Sequence, residues 1–262
     1  MSTTDAAPPL STPLVVGVDL GGTKMAAALV TADGALAGPL ASAPTPARSG
    51  PEAVLDAIAS VVDTVVSAGT HQAPGAPVAV SAVGVGSAGV VNVSTGTIVS
   101  ATDAITGWTG TSVATGVRSR LIAQGYGDMP VHVENDVDAY AGGEAWLGAG
   151  RDASSVLVVA VGTGVGGSVV INGTTVRGAH YVAGEIGHVP APGAENEMCT
   201  CGRRGHLEAI AAGPQIHRRY LAAGGDPEVA NAFEVEQRAD AGDPIASLVY
   251  RDSAIALGKV LA

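Results

Sequence analysis

Leu14 to Leu20 is an apolar run, rich in β-branched residues and interrupted by Asp19, that stops at Gly21-Gly22-Thr23. It predicts a strand feeding a tight turn. Met25 to Thr31 is apolar again and closes on Ala32-Asp33-Gly34, so the segment reads as a β-hairpin with a second turn beyond it. The period then changes: between Glu52 and Ala68 the apolar residues Val54, Leu55, Ile58, Val61, Val62 and Val65 recur at helical spacing, and a strand follows over 78–85. Val131 to Val133 reads as a short strand, and Asp136 opens a helix through Ala139, Tyr140, Ala141 and Ala145. From Val156 to Val176 the chain again runs strand, Gly/Thr turn, strand, turn. Laid on the first hairpin, this stretch aligns at an offset of 143, with Val158 on Val15 and Gly164 on Gly21. A hairpin start repeated in each half predicts two related α/β lobes facing a shared cleft. Beyond Gly202 the pattern is helical, broken at Gly224-Gly225-Asp226-Pro227 and Gly242-Asp243-Pro244.

These elements divide the chain into a flexible polar tail over 1–13, an N-terminal α/β lobe over 14–130 and a C-terminal α/β lobe over 131–262. Composition agrees with a folded chain. Of the 262 residues 47% are hydrophobic, which excludes disorder despite 37 Gly and 15 Pro. The stretch between Asp63 and Asp103 carries no Asp, Glu, Lys or Arg, but Gly and Pro interrupt it too often for a membrane span. The start has no basic residue and no long apolar run, so no signal peptide is expected and the cytoplasm is the predicted location. A net charge of −11 argues against nucleic acid as a partner.

Chemistry concentrates in a few places. Gly162, Gly164 and Gly167 satisfy G-x-G-x-x-G, yet a strand rather than a helix follows, which excludes a dinucleotide site. The two Gly/Thr turns either hold phosphate oxygens on their backbone N–H groups or are merely tight turns. In Glu134-Asn135-Asp136, at a strand-to-helix junction, Asp136 is either a helix cap or a general base for a substrate hydroxyl. His188, Cys199, Cys201 and His206 form H-x10-C-x-C-x4-H, which suits tetrahedral zinc; a pair of buried free thiols is the alternative. A disulfide across one intervening residue is geometrically awkward.

The order of these motifs carries a resemblance. Val16-Gly17-Val18-Asp19-Leu20-Gly21-Gly22-Thr23-Lys24, Glu134-Asn135-Asp136, Gly162-Thr163-Gly164-Val165-Gly166-Gly167, Gly184-Glu185-Ile186-Gly187-His188 and Cys199-Thr200-Cys201-Gly202-Arg203-Arg204-Gly205-His206-Leu207-Glu208 resemble, in sequence order, the ROK family of sugar kinases and sugar-responsive repressors. The similarity runs from about residue 14 to the end. It implies the actin-like, ribonuclease-H-like α/β fold of two lobes. It also implies a zinc-stabilised kinase that moves the γ-phosphoryl of Mg²⁺-bound ATP to the 6-hydroxyl of a hexose or N-acylhexosamine. On that resemblance Asp136 is the catalytic base; Asn135, Glu185, His188 and Glu208 bind the sugar; Asp19, Gly21, Gly22, Thr23, Lys24, Gly162, Thr163, Gly164, Gly166 and Gly167 contact phosphate and Mg²⁺. His188, Cys199, Cys201 and His206 hold a structural Zn²⁺, with His188 serving both metal and sugar. A homo-oligomer, a dimer, is the assembly the resemblance implies.

Three departures shape the expectation. His206 stands where the family has a third cysteine, making the site Cys₂His₂. Asp103-Ala104-Ile105 replaces a family Asn-Leu-Pro segment, so Asp103 takes the place of a sugar-binding Asn. The family continues for roughly another 40 to 50 residues beyond Ala262, a block of a strand, a turn and a helix near the adenosine. The expectation is a chain that binds its sugar and holds ATP weakly. The alternatives are a non-catalytic sugar-binding sensor or an inactive truncated kinase; a repressor's DNA-binding domain does not fit into 13 residues. Polyphosphate is the alternative donor.

Overall fold

The computed structural model describes residues 13–72 and 79–262. The tail expected over 1–13 therefore lies, except for Pro13, outside the described residues. The chain divides into two compact units at Ala139/Tyr140.

In the first unit β1 (Leu14–Leu20), β2 (Lys24–Val30) and β3 (Ala41–Pro44) form an antiparallel meander, followed by helix α1 (Pro51–Gln72) and strand β4 (Val80–Ser87). A small hairpin, β5 (Val90–Asn92) and β6 (Thr97–Ser100), precedes helix α2 (Val113–Ala123) and strand β7 (Val131–Asn135). The main sheet has the order β3-β2-β1-β4-β7, with β4 parallel to both β1 and β7. Strand alternation decides what each face carries. Val16, Val18 and Leu20 of β1, Val83 and Val85 of β4 and Val133 of β7 are buried in one cluster with Val54, Ile58, Val62 and Val65 of α1 and Val113, Val117 and Leu121 of α2. Each such side chain, fully buried, stabilises the fold by about 1.5–3 kcal/mol relative to exposure. The other face presents Gly17, Asp19, Ala26, Gly84, His132 and Glu134, which line a groove of about 490 Å³.

Helix α3 (Asp136–Trp146) begins directly after β7, and the division between the units falls inside it. The boundary expected at 130/131 is thus displaced by nine residues. The reason is that β7 pairs with β4 from Val83↔Val131 to Ser87↔Asn135 and so completes the first unit's sheet.

The second unit contains strands β8 (Ser155–Val161), β9 (Val165–Ile171) and β10 (Thr174–Thr175), in the order β10-β9-β8. Strand bounds place this hairpin 141 residues after the first rather than 143. The turns also differ: Leu20 pairs with Met25, whereas Val161 pairs with Val165. A 3₁₀ turn spans Ile186–His188, and helices α4 (Glu208–Ala211), α5 (Gly213–Ala222), α6 (Ala232–Asp240) and α7 (Pro244–Leu261) follow. The expected breaks fall between α5 and α6 and between α6 and α7. Asp243 caps α7, accepting hydrogen bonds from the N–H groups of Ile245 and Ala246 at 2.8 and 3.1 Å, with Pro244 opening the helix. Among the described residues no helix is long and apolar enough to cross a membrane.

Candidate functional site

The first unit supplies a turn and a carboxylate. At the end of β1 the Gly21 N–H donates to the Lys24 carbonyl at 3.1 Å, closing the Gly21-Gly22-Thr23 turn. Thr45, which sequence reasoning did not single out, fastens this turn from outside. Its hydroxyl donates to the Gly21 carbonyl at 2.7 Å and its N–H to the Thr23 carbonyl at 2.9 Å. Thr23 and Lys24 remain exposed. The Asp103 segment lies beside the turn, since a methyl placed on Gly22 would sit 3.4 Å from the Ala104 Cβ. Arg48 holds this segment by donating to the Asp103 carbonyl at 3.2 Å.

At the β7–α3 junction the capping residue is Asn135. Its Oδ1 accepts from the N–H groups of Val137 at 2.9 Å and Asp138 at 3.1 Å, while its Nδ2 donates to the Gly89 carbonyl at 3.0 Å. Asp136 is the first helical residue; its Oδ1 accepts the Val137 N–H at 2.9 Å, and its own N–H and the Asn135 side chain also stabilise the carboxylate. Capping therefore does not account for Asp136. Burial pushes its carboxyl above the ordinary aspartate range and the charge of Asp19 adds to the rise, partly offset by the Val137 N–H.

The second unit brings its own candidates around a short knuckle. Chain reversal at Cys199–Gly202 is closed by the Gly202 N–H donating to the Cys199 carbonyl at 3.0 Å, and Gly202 takes a φ of 83° that a side chain would disfavour. Cys199 N–H returns to the Arg203 carbonyl at 2.8 Å, and Leu207 N–H to the Val189 carbonyl at 3.0 Å. Buried Leu207 and Ile210 anchor the knuckle in the core. The donor atoms of His188, Cys199, Cys201 and His206 consequently lie within 4.8 Å of one another. Cys199 Sγ is 3.7 Å from His188 Nδ1, and Cys201 Sγ is 3.3 Å from His206 Nδ1. A tetrahedral shell with Zn–N near 2.0 Å and Zn–S near 2.3 Å has ligand-to-ligand edges of about 3.3–3.8 Å, so the four donors fit such an ion. Burial pushes the Cys199 thiol up, partly offset by the Cys201 N–H, and the Cys201 thiol and the Glu208 charge add to the rise.

His188 turns its other ring nitrogen toward Glu185, with Nε2 3.8 Å from Oε2. Glu208, at the start of the buried helix α4, is only 8% exposed. Its Oε2 accepts from the Val165 N–H at 3.1 Å, and its Oε1 accepts from the Thr200 hydroxyl and lies 3.6 Å from Cys199 Sγ. Glu185, His188 and Glu208 are thereby all tied to one knuckle. In the neighbouring turn the Gly162 N–H donates to the Gly164 carbonyl at 2.9 Å, and the Gly213 N–H at the start of α5 donates to the Gly162 carbonyl at 2.8 Å. Thr163 is exposed at its tip. Gly166 and Gly167 lie inside β9 rather than in the turn, and Gly167 is packed against Ile186.

Residues 15–262 match the model of the ROK family. The chain belongs to that family. Among its ROK relatives, the glucokinase of Streptomyces coelicolor is 33% identical over 266 residues, covering 95% of this chain and 77% of that protein. An N-acetylmannosamine kinase of Escherichia coli O157:H7 is 32% identical over 250 residues, covering 94% and 77%. The crystal structure of a ROK family glucokinase from Streptomyces griseus in complex with glucose and AMPPNP superposes with a TM-score of 0.73 at 29% identity, covering 95% of this chain and 78% of that one. The fold is accordingly the α/β fold of the actin-like sugar kinases.

Proposed function

We propose that this ROK protein is an ATP-dependent sugar kinase acting on the 6-hydroxyl of a hexose or N-acylhexosamine, with Asp136 as general base. The observation that carries the reading is the division of labour at the β7–α3 junction. Asn135 satisfies the helix N-terminus, which leaves the partly buried Asp136 carboxylate for proton transfer. Family membership and the names of the glucokinase and N-acetylmannosamine kinase relatives support the substrate class.

In this reading Asp136 accepts the hydroxyl proton as the sugar oxygen bonds to the γ-phosphorus and the bond from that phosphorus to the β,γ-bridging oxygen breaks, releasing ADP; its raised pKa makes it a stronger base than an ordinary aspartate. Asn135, Asp103, Glu185, His188 and Glu208 orient the sugar hydroxyls. The Gly21–Lys24 and Gly162–Gly164 turns supply N–H groups, hydroxyls and the Lys24 charge to phosphate oxygens, and Asp19 would hold Mg²⁺. Bound Mg²⁺ neutralises phosphate charge. Zinc held by His188, Cys199, Cys201 and His206 fills its four positions with protein ligands and is structural. Two reduced thiols in such a site suit the cytoplasm.

The test is release of ADP from Mg²⁺-ATP over a panel including glucose and N-acetylmannosamine, repeated with inorganic polyphosphate as donor. Sugar-dependent turnover that Asp136→Asn abolishes is the expected result. Sugar binding without turnover from either donor would sink the assignment of an active kinase and favour the alternatives, a non-catalytic sensor or an inactive kinase of the family.

A further inference from the structure

The Thr200 hydroxyl lies between the two cysteines of the knuckle and donates to Glu208 Oε1. Glu208 is the buried carboxylate that also accepts the Val165 N–H at 3.1 Å through Oε2. These two bonds come from different elements, one from the knuckle and one from the first residue of β9. Together they fix both oxygens and so the plane of the carboxylate. The Val165 bond alone leaves rotation about that contact free; the Thr200 bond removes it. Close approach of Gly164 limits the carboxylate further, because a methyl there would stand 2.7 Å from Oε2.

We propose that Thr200 is a positioning residue for sugar recognition, acting through Glu208. The assignment rests on the reading of Glu208 as a sugar ligand and adds the group that aims it. An ionised carboxylate has about four acceptor positions; the Thr200 and Val165 donors take two of them, and Cys199 Sγ stands 3.6 Å from Oε1 against a third. The remaining lone pairs are held in fixed directions, so Glu208 accepts hydrogen bonds from sugar hydroxyls at set angles. Thr200 is not a metal donor in this arrangement: the four donor atoms come from His188, Cys199, Cys201 and His206. Its removal therefore separates sugar recognition from metal holding. A hydrogen bond to a charged group is lost with it, and where that bond prepays the orientation of a ligand, affinity falls by about tenfold or more.

The experiment compares the parent chain with Thr200→Val and Thr200→Ser. Each is assayed for metal content by elemental analysis, for melting temperature, and for binding of glucose and N-acetylmannosamine by calorimetry. The expected result is that Thr200→Val keeps its metal, melts as one cooperative fold at a modestly lower temperature, and binds the preferred sugar about tenfold more weakly, with Thr200→Ser restoring affinity. In turnover the loss should fall on KM more than on kcat. Parental sugar affinity in Thr200→Val, or equal loss in Thr200→Ser, would overturn the proposal. So would metal loss accompanying the affinity loss, because the role would then be structural. A parent chain that binds neither sugar would instead defeat the substrate assignment itself.

Discussion

Asp136 and Asn135 show how adjacent residues divide two tasks that a sequence motif leaves merged. The spacing places both at a helix start, and an Asp there is as good a cap as an Asn. Only the geometry shows that Asn135 caps while Asp136 keeps its carboxylate. Asp136→Asn should lower turnover by at least about 10²-fold while sugar affinity stays near the parent's, a split that steady-state kinetics and calorimetry separate. The proposed mechanism needs the ionised carboxylate, and burial with the nearby Asp19 charge raises its pKa, so that mechanism puts the acid limb of the kcat/KM profile above the ordinary aspartate range. A limb at or below that range would contradict the assignment. The same displacement has a sign for stability. The folded state binds this proton more tightly than the unfolded chain, so ionised Asp136 weakens the fold above its pKa, and Asp136→Asn should melt no lower than the parent. Asn135→Ala, by contrast, should cost about 1 kcal/mol in denaturant unfolding through loss of the cap.

The elements with a strong period were legible and those without were not. Helix α1 shows six apolar residues at helical spacing, and the structure extends it only to Pro51–Gln72. Helix α2 escapes such a reading because its buried residues are only Val113, Val117 and Leu121, a stripe one residue wide within a polar segment. Strand β3 is four residues ending in Pro44 and carries no alternation that composition reveals. Nor does a run of glycines disclose which of them packing requires. A methyl on Gly187 would lie 2.1 Å from the Val165 carbonyl oxygen, a backbone atom that cannot step aside, whereas one on Gly17 meets nothing within 4 Å. Gly187→Ala should therefore destabilise by about 2 kcal/mol or more, and Gly17→Ala should be neutral or gain up to about 1 kcal/mol. Denaturant midpoints of the two variants check the contrast, and equal shifts would refute it.

For the molecule as a whole, the sequence shows two related hairpins but not where one unit gives way to the next. Val131-His132-Val133 looks like a fresh start after a loop, and nothing local says that β7 joins a sheet begun at Leu14. The knuckle that gathers His188, Cys199, Cys201 and His206 belongs wholly to the second unit, whose core beneath it is built from small and aliphatic residues around Leu207 and Ile210. Chelation at neutral pH should thus lower the melting of that unit, and Cys201→Ser should reproduce the effect, since about one zinc per chain is expected. A metal-free chain that melts like the parent would refute this. The sheet order β3-β2-β1-β4-β7 also sets a schedule for synthesis and refolding. Strands β1 to β3 zip locally as soon as they exist, but the inner edge of β1 stays open until Ser87 has been made and docks beside Leu20, with α1 closed between them. Closing that long loop before its contacts repay it is the slow event. Val83→Ala in β4 should retard refolding in stopped-flow, while Ser42→Ala at the outer strand should leave that rate alone. Until β4 arrives, β1 is the edge at which the nascent chain is exposed to mispairing.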